Sequence, residues 1–215
     1  MNYKISNGVK KLFFDIETIP AAEKSWETLR LLHEKNLQKN RKKGKSVEDF
    51  EHYLLKTSFD GAFGRILCIG YAINDNLVEI LHEEGDEKKI LEKFWKIAKD
   101  VDLFIGHNVM DFDLRFIYQR SIIKNVRPSR DLNFARYRNN PIFDTMKEWV
   151  KWSMSNIGLE ALALALGIPT PKDGIDGSQV YNFYKDGKIN EILDYCKRDV
   201  ETTRAVYKKM VFEEI

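Results

Sequence analysis

The segment "KKLFFDIETIP", Lys10 to Pro20, reads as a buried β-strand through Leu12, Phe13, Phe14 and Ile16, yet it carries Asp15 and Glu17. Burying an unpaired carboxylate costs several kcal/mol or more. Residues two apart on a strand share a face, so the pair projects together, with Phe13 behind it. It falls near the carboxyl end of the strand, where α/β sheets open their sites. Two like charges this close need a cation between them or a shifted pKa. Two further acids break the pattern around them. Asp113 lies inside the stripe Val109, Phe112, Phe116 and Ile117 of the helix expected after "GHN". Asp199 sits among Ile192, Tyr195, Cys196, Val200, Val206 and Met210 in the last helix, one turn after Tyr195. Asp111, Asp194, Glu191 and Glu201 fall outside these stripes; Asp111 reads as a first-turn residue favoured by the helix dipole. Each misplaced acid has an ordinary alternative: a strand end in water, a helix N-terminus, a partner such as Arg198 or Arg204. Four of them in three distant segments instead predict a carboxylate cluster around hard divalent cations, Mg²⁺ or Mn²⁺. No Cys/His pattern suits zinc.

These residues need a frame to hold them. The first strand is followed by a polar, helix-favouring segment, about 21–57, with six basic and no acidic residues from Lys35 to Lys45. Ser46 reads as the N-cap of a second helix there, with Asp49 its acidic partner. Gly64 to Ile73 is a strongly apolar strand, "NDN" a turn, and "LVEILHEE" a partner strand, giving a hairpin. "DEKKILEKFWKIAKD" is an amphipathic helix, "VDLFIGHN" a buried strand, "VMDFDLRFIYQRSI" a helix and "PIFDTM" a short strand entering another. "GLEALALALG" is a helix closed by Gly167, and a long helix ends the chain at about 189–211. Hairpins plus crossover helices predict an α/β protein: a mixed sheet covered on both faces. The 215 residues, 43% hydrophobic and 32% charged, suit one domain, and the net charge of +2 selects no partner. No apolar run approaches a membrane span or a secretory leader, and Cys68 and Cys196 read as buried free thiols, so a cytoplasmic protein is expected.

Three motifs carry a resemblance. "DIET" (Asp15–Thr18) is similar to the first motif of the DEDD 3′→5′ exonucleases. "GHNVMDFDLRFI" (Gly106–Ile117) resembles their second, and "YCKRD" (Tyr195–Asp199) their third in its Y-x-x-x-D form, the DEDDy branch. "IFDTMKEW" and the segments that follow resemble stand-alone exonucleases related to the proofreading domain of family-B DNA polymerases. The resemblance implies a ribonuclease H-like fold with a five-stranded mixed sheet. Residues 1–215 would then be a single exonuclease domain with a basic helical insertion at about 21–57. It also implies two-metal hydrolysis of phosphodiester bonds at the 3′ end of single-stranded nucleic acid, DNA ahead of RNA. Asp15, Glu17 and Asp199 would hold one cation, Asp15 would bridge to the second, and Asp113 would reach it directly or through water. Tyr195 would orient the attacking water. Thr18 and Ile19 would meet the 3′ end largely through backbone.

The remaining candidates follow from residue type. Asn108 can bond the terminal nucleotide or brace its loop; Phe112 can stack under a base or pack in the core. His107 reads as a loop brace and Asp144 as an N-cap. "RPSRDLNFARYRNN" mixes Arg127, Arg130, Arg136 and Arg138 with Phe134 and Tyr137, a composition suited to single strands. The run at 35–45 suits either a solvated face or phosphate contact. A dehalogenase-type phosphatase would need Asp where Glu17 stands. A non-catalytic nucleic-acid-binding or docking domain is the alternative from another class, and the intact set of four acids and a tyrosine argues against it.

Overall fold

A computed structural model describes residues 8–43, 46, 48–170 and 175–214. Strand β1 (Lys11–Ile19) is apolar on both faces, so it can be stable only as an interior strand. Strand β2 (Arg65–Ile73) pairs with it antiparallel from Leu12↔Ile73 to Ile19↔Arg65, with a register shift between Glu17 and Thr18. Strand β3 (Glu79–Leu81) closes the hairpin beyond β2. On the other side of β1, β4 (Leu103–Gly106) and then β5 (Ile142–Asp144) run parallel to it. The order is β3-β2-β1-β4-β5, the five-stranded mixed sheet expected.

Helices cover both faces. Leu12, Phe14 and Ile16 pack with Ile90 and Phe94 of α3 (Glu87–Ala98) and with Leu114 and Ile117 of α4 (Asp113–Ile123). The side chains of Phe13, Ile105 and Phe143 point the other way, onto Val200 and Tyr207 of the terminal helix, Ile189–Met210. After β1, α1 (Trp26–Lys42) and α2 (Phe50–Lys56) build a small cluster of their own around Ala21, Leu29 and Leu54. Three short helices precede the last: α5 (Thr145–Val150), α6 (Leu159–Ala165) and α7 (Val180–Lys185), which makes the terminal helix α8. Gly167, at φ +73°, ends α6 as the sequence predicts. A buried ion pair, Arg120 Nε to Glu87 Oε1 at 2.8 Å, ties α4 to α3, and Glu87 also accepts the N–H of Ile66 at 2.9 Å. Among the described residues no helix is long and apolar enough to cross a membrane.

Three boundaries differ from expectation. The helix after "GHN" starts at Asp113, not Val109; residues 109–112 form a turn in which Asp111 and Phe112 donate their N–H groups to the Asn108 carbonyl. Asp111 therefore precedes the helix and is not in its first turn. The cap of α2 is Asp49, whose Oδ1 accepts from His52 N at 2.8 Å, and Ser46 is not involved. Gly44, Lys45 and Val47 of that stretch lie outside the described residues. The hairpin's second strand is only three residues long.

Candidate active site

Because β1, β4 and β5 are parallel, their carboxyl ends open at one end of the sheet. Asp15 and Glu17 project there on the face covered by α8. Glu17 is 7% exposed and Asp15 is half-buried. Helix α8 can lie close to the sheet because Gly70 stands opposite Asp15 on β2: a Cβ there would come within 2.9 Å of Cys196 Sγ and 3.0 Å of Val200 Cγ2. Asp113 arrives from the other face. Pairing of β1 with β4 stops at Phe13, and Asp113 Oδ1 accepts the N–H of Ile16 at 3.1 Å. Asp113 is thus both the first residue of α4 and buried, at 3% exposure.

The four carboxylates act on one another. Burial first, then the charges of Asp113, Glu17 and Asp199, push Asp15 well above the usual carboxylate range. Glu17 is raised by burial, then by Cys68, Asp199 and Asp113. Burial raises Asp113 to about 7 and Asp199 to about 6, the latter although Tyr195 and Arg198 pull it down. Among the described residues none of the four forms an ion pair. A buried set of hard oxygen donors with no ion-pair partner among the described residues fits divalent cations such as Mg²⁺ or Mn²⁺. Donor atoms of Asp15, Glu17 and Cys196 lie within 4.8 Å of one another, with Cys196 Sγ 3.7 Å from Asp15 Oδ2. Sequence reasoning did not anticipate this thiol beside the carboxylates. Its own pKa is raised, first by contact with Cys68 and then by burial, so it stays a neutral thiol beneath the site. Both cysteines are free, as expected.

Tyr195 stands one turn before Asp199, and its hydroxyl lowers the pKa of that carboxylate. Burial and the charges of Asp199, Glu17 and Asp15 hold the phenol pKa above its ordinary value, so the hydroxyl keeps its proton.

The neighbouring loop is pinned from a distance. Asp144 caps α5, accepting from Met146 and Lys147 N at 3.1 Å, and also accepts from Asn108 N and Met110 N at 3.0 Å. It braces the second motif, in keeping with its reading as a cap. His107 bonds Thr145 Oγ1 and the Ile157 carbonyl, the loop-bracing part expected of it. Asn108 adopts φ +61°, so this backbone turns sharply beside the site. Phe112 is half-buried, packed on Phe116 at 5.7 Å between ring centroids and on Phe59 at 6.3 Å. Phe59 is 68% exposed and lies in the turn that follows α2. Its turn is fastened to β1: Thr18 Oγ1 donates to the Ser58 carbonyl at 2.7 Å, and Ala21 N donates to Thr57 Oγ1 at 2.9 Å. Thr18's hydroxyl is therefore engaged within the chain. Ile19 packs with Leu67, Ile175, Val180 and Ile192, which leaves only its backbone for a ligand. Sequence reasoning missed Phe59; its signal, an aromatic in a polar turn, is weak. Lys35, Lys39 and Arg41–Lys43 are exposed on α1 and its C-cap.

Residues 63–214 match the family described as "Predicted 3'-5' exonuclease related to the exonuclease domain of PolB", and the chain belongs to that family. It is 25% identical over 162 residues to a DNA polymerase of Archaeoglobus fulgidus, an alignment covering 68% of this chain and 20% of that protein. The structure of the family B DNA polymerase from Pyrobaculum calidifontis superposes with a TM-score of 0.65 at 16% identity, over 98% of this chain and 25% of that one. That likeness establishes the fold, the ribonuclease H-like arrangement expected. The chain spans a fifth to a quarter of the length of these two polymerases.

Proposed function

We propose that this chain is a DEDDy-type 3′→5′ exonuclease that removes nucleotides from the 3′ end of single-stranded nucleic acid, DNA ahead of RNA, with two divalent cations, Mg²⁺ or Mn²⁺. Residues 1–215 would act as one exonuclease domain. One observation carries the proposal: four buried or half-buried carboxylates from three distant segments lie close enough for their charges to act on one another, none in an ion pair among the described residues, and a protonated tyrosine lies beside one of them. Asp15, Glu17 and Asp199 would hold one cation; Asp15 and Asp113 would serve the other. Bound there, the cations supply Lewis-acid polarisation of the phosphate and a lowered pKa for attacking water. The chain's own residues do the rest. Tyr195 directs the attacking water through its hydroxyl. Phe112 and Phe59 stack on the terminal bases, where each base–aromatic contact is worth about 1–3 kcal/mol. Asn108, and Thr18 and Ile19 through backbone, position the terminal nucleotide.

The test is a block at the 3′ end. An oligonucleotide carrying an inverted terminal nucleotide there resists hydrolysis, while the same block at the 5′ end has no effect. Equal hydrolysis of the two would sink the proposal.

Tyr195→Phe isolates the hydroxyl. Loss of water positioning lowers kcat by about tenfold to a hundredfold and leaves KM little changed. Because burial and the carboxylates keep the phenol protonated, the wild-type rate shows no limb from tyrosine ionisation near its ordinary pKa. A pH–rate profile in which wild type has such a limb and the variant lacks it would assign Tyr195 a different role, that of a base.

A further inference from the structure

A cavity of about 290 Å³ opens beside the second-motif loop, with Asp111, Arg115, Arg136, Tyr137, Lys147 and Trp152 in its wall. It shares this loop with the candidate active site: Asp111 lies between Asn108 and Asp113. It also lies at the same end of the sheet, since Lys147 follows the carboxyl end of β5. Three cationic side chains face one carboxylate. Asp111 holds two of them, Lys147 Nζ at 2.7 Å and Arg115 Nη2 at 3.6 Å. Arg136 makes no ion pair among the described residues and is exposed.

The aromatic side is equally particular. The Tyr137 and Trp152 rings lie 5.5 Å apart, and Tyr137 is 74% exposed. Both residues have left-handed backbones, at φ +64° and +61°. Bulky residues rarely adopt this region, and such strain persists where surrounding structure enforces it, most often at ligand sites. Here the enforcement is visible. Trp152 N donates to the Lys147 carbonyl at 3.1 Å, past the end of α5. The 127–140 segment is fixed by Arg130 Nη1 on the Val101 carbonyl at 2.7 Å and by Phe134 against Tyr118 at 5.7 Å. Of the basic and aromatic residues in that segment, Arg130 and Phe134 thus serve as anchors, and Arg136 and Tyr137 line the cavity together with Phe134.

We propose that this cavity is a subsite for an unpaired nucleotide upstream of the one removed. A base would sit against Tyr137 and Trp152, with a neighbouring phosphate on Arg136 and Arg115. The chemistry selects a single strand, because stacking on exposed aromatics needs a base free of its partner, and it discriminates little among bases. The inference rests on the exonuclease reading, since it takes the strand to lead away from the carboxylates past this loop.

The test takes the cavity to hold a nucleotide at least three upstream of the one removed, and compares a trinucleotide with an oligonucleotide of about twelve residues, within the span of known single-strand sites. Binding is read by fluorescence anisotropy without divalent metal, and hydrolysis separately with Mn²⁺. Arg136→Ala and Tyr137→Ala are the variants, both at exposed positions. Each weakens the longer strand about tenfold more than the trinucleotide, the equivalent of one stacked base or charged contact. Arg136→Ala also flattens the salt dependence for the longer strand by about one phosphate contact. Equal losses at both lengths, or none, overturn the subsite, and so does binding that shows no length dependence in wild type. If wild type hydrolyses neither substrate while the length-dependent binding and its loss persist, the exonuclease reading fails and the subsite stands.

Discussion

Asp15→Asn lowers the rate of 3′-end hydrolysis by on the order of a thousandfold or more, while the protein stays folded. The substitution keeps the shape of the side chain and removes its charge. Asp15 is the carboxylate on which Asp113, Glu17 and Asp199 all act, in keeping with its proposed part as the ligand shared by two cations. Metal stabilisation of charge at a reacting phosphate is worth several kcal/mol, and about 1.4 kcal/mol is a factor of ten in rate. Losing the shared ligand should therefore cost most of the catalysis. The fold does not depend on that charge: β1 is held by Leu12, Phe13, Phe14 and Ile16 in two buried clusters. Asp199→Ala should behave alike in rate. A single-turnover assay with a circular-dichroism melt beside it gives both readings, and an Asp15→Asn variant retaining full activity would refute the assignment of this strand.

Without metal, the protein should be more stable near pH 5 than near pH 8, and divalent cations should reverse this. Asp113 and Asp199 are raised to about 7 and about 6 from a reference of 3.8, and Asp15 and Glu17 are raised well above theirs. Between the reference values and these raised ones the folded protein binds more protons than the unfolded chain. The contribution of these four acids to stability is complete below about pH 4 and is lost as pH rises through about 6 to 7. Asp113 alone, almost fully buried, accounts for on the order of a few kcal/mol. Asp199 is partly screened by solvent and counts for less. The carboxylates shifted the other way, Asp49, Asp75, Asp86, Asp176 and Glu87, lose their contribution only as pH falls below the usual carboxylate range, outside this window. At about 2–4 °C per kcal/mol for a chain of this size, the metal-free melting temperature should drop by roughly 5–10 °C between pH 5 and pH 8. Saturating Mn²⁺ or Mg²⁺ should raise it more at pH 8 than at pH 5, because binding requires ionised carboxylates. Asp15→Asn should recover part of the loss without metal. A flat profile that ignores both pH and cation would show that the four acids do not share one site.

Much of this site is readable along the chain because its signal is local. A strand of period two puts Asp15 and Glu17 on one face, and a helix of period near 3.6 puts Asp199 beside Tyr195 and Cys196. Asp113 is legible as an acid in an apolar stripe, although the stripe begins in a turn and not in a helix. That turn exists because Asp144, 36 residues on from Asn108, takes the N–H groups of Asn108 and Met110. Local periodicity carries no trace of such a partner. Cys196 lies beside Asp15 for a similar reason: only the glycine opposite, Gly70, lets α8 settle so near the sheet. Phe59 is placed only by the folding of the segment between β1 and β2, whose last turn hangs from Thr18. What the sequence hides is contact between distant segments, and it is there that the residues proposed to meet substrate beyond the acids are found.

Whether these four carboxylates and Tyr195 remove nucleotides from a 3′ end can be measured in one assay. 5′-Labelled single-stranded DNA, and its RNA counterpart, are incubated with the protein in Mg²⁺ or Mn²⁺, beside an Asp15→Ala, Asp199→Ala double variant. The expected result is a ladder shortening one nucleotide at a time from the 3′ end, faster on DNA, absent without metal and absent in the variant. Binding without cleavage in either metal, or a ladder that survives in the variant, would contradict that role.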